Sequence, residues 1–188
     1  MVRIFFLMGV AGSGKTTVLS HSWLLDHPDF VYVPSYTTRP LRENETNGEK
    51  YWHITKQEFE AKIQAGDFLE YALVHQLSLY GTSYRAITAP LAEGKNTIKE
   101  VEMWGLLNIQ ADGRIQGQYT TIFLDIPDEL MMPRITQRQT ISSEELKNRL
   151  TSADFERLQA KTHCDHIVDA TQPLDTVCEI VTNICTGL

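Results

Sequence analysis

Short apolar runs alternate along this chain with stretches whose apolar positions recur every three or four residues. Ile4–Met8, Phe30–Val33, Thr97–Val101, Thr121–Ile126 and His166–Val168 read as core strands, since brief apolar or β-branched runs bounded by turn formers suit strands buried on both faces. Phe68–Val74 reads as another strand, in a region of different character where residues 37–49 are polar and turn-rich. A helix is expected from Thr16 to about Leu25. Thr55-Lys56-Gln57-Glu58 forms a capping box that opens a helix over 56–65, with Gly66 as its terminator. Tyr84–Glu93 predicts a helix ended by Gly94, with Pro90 awkwardly inside it. Ser142-Ser143-Glu144-Glu145 caps a long polar helix reaching about Lys161. A last helix sets Leu174, Val177, Cys178, Val181, Ile184, Cys185 and Leu188 on one face. Strands alternating with helices predict an α/β chain with a mostly parallel sheet flanked by helices.

Composition narrows the class. At 188 residues, 42% hydrophobic and 22% charged, the chain can bury a sizeable core as one unit with inserted subdomains. A net charge of -7 argues against general nucleic-acid binding. The apolar stretches are too short to span a bilayer, and the first one ends at Gly9 without a cleavage-like tail, so it reads as a core strand. Cys164, Cys178 and Cys185 include no close pair, which suggests reduced thiols and a cytoplasmic protein without a membrane partner. Cys178 and Cys185 lie on the apolar stripe and read as packing. His163-Cys164-Asp165-His166 could be taken for a metal cluster, but adjacent residues converge poorly on one ion and no second half exists.

The sharpest chemical signal follows the first strand. Gly9-Val10-Ala11-Gly12-Ser13-Gly14-Lys15-Thr16, with Thr17 continuing into the helix, is a complete phosphate-binding loop. Its glycines let successive N–H groups point at one anion, and the helix adds its positive N-terminal end. Lys15 can reach the outer phosphates, and the Thr16 hydroxyl can ligate Mg²⁺. A nucleotide bound with Mg²⁺ is therefore the expected ligand, on a P-loop NTPase-type parallel sheet.

Further along, Arg39-Pro40-Leu41-Arg42 sets two guanidinium groups where both can face one phosphate if the segment is extended. Taken alone, that segment reads equally as a solvated loop. Asn47-Gly48-Glu49-Lys50-Tyr51 makes a turn into a strand, followed by Gly66-Asp67-Phe68-Leu69-Glu70 and Tyr80-Gly81-Thr82. The order of phosphate loop, S-x-T-T-R-x-x-R, N-G-x-x-Y, G-x-F-L-E and Y-G-T resembles guanylate kinases. The resemblance continues through Lys99–Gly105, Pro127 and Arg138-Gln139-Thr140 to His166-Ile167-Val168-Asp169.

The resemblance implies a core ATP-binding domain of residues 1–33, 83–126 and 150–188. It also implies an inserted mixed α/β subdomain at 34–82 for the nucleoside monophosphate and a helical lid at 127–149. Arg39, Arg42 and Tyr51, with Tyr80, match the grip on the GMP phosphate. Glu70 matches the guanine reader, and Ser35 and Thr82 its hydroxyl partners. Chemistry agrees, because guanine offers N1–H and a 2-amino group to a carboxylate whereas adenine offers a bare N1 lone pair. Without the surrounding motifs, Glu70 reads as a surface carboxylate on an edge strand. Arg134, Arg138 and Arg149 match the arginines of the lid, which with Lys15 and Arg39 carry the charge of the moving phosphoryl group.

The sequence also departs from the pattern. Glu100 and Glu102 stand where two aspartates are usual, for the acceptor ribose and a water-mediated contact to the metal. One extra residue separates Glu70 from Tyr80, and Asp169 replaces an asparagine usual near the donor's adenine. The resulting expectation is transfer of the γ-phosphoryl group of ATP to GMP, by a monomer or homodimer. A non-catalytic protein-binding module of the same family and a kinase with another phosphorylated acceptor are the alternatives.

Overall fold

The computed structural model describes residues 2–19, 21–43, 45–74, 77–138 and 142–187, the side chains of His21, Ser22, Leu25, Arg138 and Ser143 excepted. In chain order the first elements are β1 (Ile4–Gly9), α1 (Lys15–Val18), α2 (His21–Asp26), β2 (Phe30–Tyr32), β3 (Ser35–Thr37), β4 (Tyr51–His53), α3 (Lys56–Gln64), β5 (Phe68–Val74) and β6 (Ser78–Ser83). They continue with α4 (Tyr84–Ala92), β7 (Asn96–Glu100), α5 (Met103–Asp112), β8 (Tyr119–Asp125), α6 (Asp128–Arg138), α7 (Ser143–His163), β9 (His166–Asp169) and α8 (Leu174–Thr186).

The chain divides into two compact units. The first draws on Met1–Ile4, Pro28–Lys99 and Trp104–Tyr119, and the second on Phe5–His27, Glu100–Met103 and Thr120–Leu188. Residues 34–82 fall wholly in the first and residues 127–149 in the second. Residues 83–99 and 104–119, expected with the ATP-binding core, cluster with 34–82.

One sheet has the strand order β2-β7-β1-β8-β9. Its β2–β7 and β8–β9 pairs run parallel. Ile4, Phe6, Leu7, Ile122 and Leu124 are wholly buried, as strands covered on both faces require. The expected helix from Thr16 to Leu25 is instead two pieces. α1 closes at Leu19, whose φ of -88° and ψ of 24° leave the helical region, and α2 starts at His21. Trp23 of α2 stacks on His27 and donates its indole N–H to Thr182 of α8 at 3.0 Å. On α8, Val177, Val181 and Cys185 are buried, but Leu174 is exposed. It lies in the first turn, beyond the packed part of the stripe. Leu188 lies outside the described residues.

The first unit is organised by a second sheet, in the order β4-β3-β6-β5. Its registers pair Tyr36 with Gly81, Thr37 with Tyr80, Tyr71 with Gly81, and Glu70 with Thr82. Because side chains alternate along a strand, these pairings sort the residues into two faces. Tyr36, Tyr71 and Gly81 share the face that α3 covers. There Phe59 stacks on Phe68 at 4.4 Å between ring centroids, and Tyr36 meets Phe68 edge-on. Thr37, Glu70, Tyr80 and Thr82 take the other face. A bulge between Phe68 and Glu70 shifts the register, so these residues, two apart, serve opposite faces.

Local signals hold the pieces in place. The Thr55 hydroxyl accepts from Glu58 N–H while the Glu58 carboxylate accepts from Thr55 N–H, the expected capping box. The Ser142 hydroxyl caps α7 through Glu145 N–H. Gly81 is required by close packing, since a Cβ there would stand 2.9 Å from the Phe68 ring and 3.1 Å from Phe59. Gly81→Ala is expected to cost about 1–3 kcal/mol by forcing those rings off their stack. A lowered midpoint in urea unfolding would show it, and an unchanged midpoint would contradict the packing assigned here.

Candidate active site

In the second unit, β1 ends at Gly9 and the chain turns through Val10 and Ala11 into α1. Gly9 has a φ of 151°, and a Cβ on it would lie 2.3 Å from the Leu124 carbonyl oxygen. Gly12 and Gly14 have φ of 76° and 94°. These are conformations glycine adopts without strain. Gly12, Ser13, Gly14, Lys15, Thr16 and Thr17 line a cavity of about 480 Å³, a size suited to a nucleotide. Its far side is built by Arg134 and Gln137 of α6, and by Ala170, Gln172, Leu174 and Val177 around the start of α8. Ser13 Oγ is buried without a hydrogen-bond partner among the described residues, as expected of a group awaiting an anion or its water. The Lys15 ammonium folds back on the loop, donating to the carbonyl oxygens of Gly9 at 2.5 Å and Val10 at 3.2 Å. Arg134 donates to the Gly12 carbonyl at 3.2 Å.

Not every expected residue reaches this cavity. Arg149 is tied on the exposed side of α7 to Glu145, one turn earlier, at 2.7 Å. The side chain of Arg138, and Gln139 and Thr140 after it, lie outside the described residues. Asp169 faces a neighbouring cavity of about 600 Å³. Its carboxylate accepts from Thr171 N–H at 2.9 Å and from the Gln172 amide at 3.2 Å. Those bonds hold its pKa below the usual carboxylate range. Gln172, not Asp169, presents the polar group to the cavity lined by the phosphate loop.

Two further residues of this unit were not read from the sequence. Glu156 of α7 is pushed up to about 7, first by burial, with Glu102 reinforcing and Lys15 opposing the shift. Glu156 thus senses both the phosphate-loop lysine and Glu102. Arg157 donates to the Asp125 carboxylate at 2.9 Å and to the Ile126 carbonyl at 2.7 Å, and pairs with Asp128 at 2.8 Å. Polar residues on a helix carry no sequence mark distinguishing such roles from solvated positions.

In the first unit, the polar sheet face gathers most of the residues expected to hold the acceptor. Thr82 donates its hydroxyl to Glu70 at 2.6 Å. Continuing the β3–β6 register by one residue sets Ser35 opposite Thr82, and Ser35 pairs with Tyr51 on β4. Ser35, Thr82 and Glu70 therefore form a row across three strands. The Arg39 guanidinium donates to the Tyr80 hydroxyl at 3.2 Å and lies 5.5 Å from the Tyr51 ring centroid. The Tyr51 and Tyr80 rings meet edge-on at 5.6 Å, which fixes Tyr80 in the arginine's company despite the extra residue before it. Glu45 accepts from Arg39 at 2.8 Å and from Arg42 N–H at 3.1 Å. The Arg39 bond is the main reason its carboxyl is held down to about 2. The Arg42 side chain is exposed. Lys99, fully buried on β7, donates to the Val33 carbonyl at 3.1 Å and to Ser35 Oγ at 2.7 Å. The sequence reading passed over it as part of an apolar strand.

A glycine-rich anion loop after β1 in one unit, together with a two-faced sheet carrying clustered arginine, tyrosine and carboxylate in the other, defines a nucleotide-handling protein. The sequence pattern of the guanylate kinase family matches residues 1–186. The chain is 37% identical over 165 residues to the guanylate kinase of Protochlamydia amoebophila, covering 87% of this chain and 80% of that one. It is 34% identical over 168 residues to that of Corynebacterium jeikeium, covering 88% and 87%. A crystal structure of guanylate kinase from Anaplasma phagocytophilum superposes over 99% of this chain and 85% of that one, with a TM-score of 0.69 at 23% identity, a likeness of fold. The chain belongs to the guanylate kinase family.

The raised Glu156 pKa makes a stability prediction. Between its ordinary value of 4.5 and about 7, the folded chain holds a proton that the unfolded chain releases. Stability from this group is present below pH 4.5 and lost as pH rises through 7, by on the order of 1–2 kcal/mol. Glu156→Gln should flatten that part of the stability–pH curve; an unchanged slope in urea titrations across this range would refute the assignment.

Proposed function

We propose that the chain transfers the γ-phosphoryl group of ATP to GMP, giving ADP and GDP. The observation that carries this reading is the row of Ser35, Thr82 and Glu70 on the same sheet face as the Arg39–Tyr51–Tyr80 cluster. Thr82 already gives its proton to Glu70, so both groups present lone pairs to a ligand. Guanine supplies two matching donors, N1–H and the 2-amino group. The arginine–tyrosine cluster at the other end of the face suits the monophosphate, whose oxygens would take the place now held by Glu45.

The donor triphosphate would lie in the cavity of the phosphate loop, with its phosphates on the main-chain N–H groups of residues 12–17 and on Lys15. Arg134 stands over the same loop and would add charge there. Arg138 and Arg149 are proposed to join when the 127–149 segment closes. Gln172 would meet the donor base, with Asp169 behind it. The residues fit Mg²⁺ as an ion carried in on the triphosphate, because Thr16 offers a hydroxyl in the first turn of α1 and Glu102 a carboxylate able to hold metal-bound water. When bound, Mg²⁺ neutralises charge on the outer phosphates. Glu100 is proposed for the acceptor ribose.

The reaction needs alignment and charge more than acid–base help, since a phosphate oxygen is already nucleophilic at neutral pH. Retention of Lys15, Thr16 and Arg134 around a formed cavity favours catalysis over a protein-binding module. Among the described residues no helix is long and apolar enough to cross a membrane.

Lys15→Ala is expected to lower turnover by at least about 10³-fold while GMP affinity stays within about threefold. Coupled ADP-release assays and calorimetry measure the two quantities, and near-normal turnover would remove Lys15 from the mechanism. Glu70→Gln should reduce the preference for GMP over AMP by about 10²-fold. A panel of GMP, dGMP, AMP, CMP and UMP reads this directly, and retained selectivity would exclude Glu70 as the base reader.

A further inference from the structure

The polar row that meets the acceptor base has a feature that hydrogen bonding among Ser35, Thr82 and Glu70 does not explain. A hydroxyl is ambivalent, able either to donate or to accept. Facing a purine 6-position, that ambivalence would let Ser35 accept from a 6-amino group as readily as it donates to a 6-oxo group. In this chain Ser35 Oγ is approached at 2.7 Å by the ammonium of Lys99, which has hydrogens to give and no lone pair. The same ammonium is anchored on the Val33 carbonyl at 3.1 Å, and the side chain is wholly buried. It therefore cannot swing away without stranding a cation in the interior. Among the described residues no protein group receives the Ser35 hydroxyl proton, so it is left to point outward.

We propose that Lys99 is a specificity-determining positioning residue: by donating to Ser35 Oγ it fixes that hydroxyl as a donor, and so sets the site against purines with a 6-amino group. The proposal rests on the reading of the chain as a GMP kinase and deepens it. The row then presents one donor, Ser35, and two acceptors, Thr82 and Glu70, matching the 6-oxo, N1–H and 2-amino groups of guanine. Two separate selectivities follow. Lys99 and Ser35 govern the 6-position, whereas Glu70 and Thr82 govern N1 and the 2-position.

The test uses three acceptors: GMP; IMP, which keeps the 6-oxo group and N1–H and lacks the 2-amino; and the diaminopurine ribonucleoside monophosphate, which has an amino group in place of the 6-oxo and a bare N1. Glu70 therefore contributes to rejection of the diaminopurine nucleotide in every variant, and the change on replacing Lys99 reads the 6-position. In Lys99→Met, a side chain that fills the same buried volume without a donor, kcat/KM selectivity for GMP over the diaminopurine nucleotide should fall about tenfold, mostly through KM. Selectivity for GMP over IMP should stay within about twofold. Lys99→Gln, which retains an N–H donor, should recover much of the first selectivity. A purely structural role would erode both selectivities together or lower kcat for every acceptor alike, and either result overturns the proposal. If Lys99→Met fails to fold, Lys99→Leu, which also lacks a donor, and Ser35→Ala decide through a double-mutant cycle. A double variant no less selective than Ser35→Ala alone supports the coupling, and additive losses reject it. Wild-type protein that leaves GMP unphosphorylated would instead strike the kinase reading itself.

Discussion

One extra residue in β5 decides what the first unit can bind. Without the bulge, Phe68 and Glu70 would point the same way, and either the aromatic stack or the carboxylate would be misplaced. With it, Phe68 turns down onto Phe59 while Glu70 turns up beside Thr82. The aromatic stack then works as a keel. It fixes one face of the sheet by burial, and the alternation of side chains delivers the polar set to the other face with no interaction of its own needed to aim it. Gly81 completes the arrangement from β6, since any side chain there would lift the strand off the rings.

Cations in both units are already engaged with oxygen before any nucleotide arrives. Lys15 holds two loop carbonyls, Arg134 a third, and Arg39 the Glu45 carboxylate. Such partners keep long flexible side chains ordered near where phosphate would bind, so less rotamer entropy is lost on binding. The cost is competition. A phosphate gains only the difference between its own contacts and the internal ones it displaces, which moderates affinity and helps product leave.

Legibility in the sequence followed burial. β1, β5, β7, β8 and β9 were evident from their apolar runs, and the caps of α3 and α7 from their hydroxyl–glutamate spacing. β3 and β6 were named only as motifs, because strands with one polar face and three to six residues give little periodic signal. α5 was missed because no capping residue marks its start. The phosphate loop was readable from chemistry alone, whereas Glu70 and its hydroxyl partner Thr82 needed the order of surrounding motifs. Lys99 was invisible because a lysine inside an apolar run looks like a strand position turned to solvent. Asp169 was expected near the donor's adenine from its place in the motif; its carboxylate accepts from Thr171 and Gln172. Only coordinates reveal such a turn.

Arg157 ties together the end of β8 at Asp125, the first residue of α6 at Asp128 and its own helix at Asp154. Chain that leaves and returns to one anchor is a closed loop in the polymer sense, and lengthening such a loop twofold costs only about 0.6 kcal/mol in entropy. Closure entropy therefore places little constraint on the length of chain between those feet; packing does, through buried Met131 and Ile135 and through Arg134 beside Gly12. Variation in length among related chains should spare those residues and the guanidinium that staples the feet.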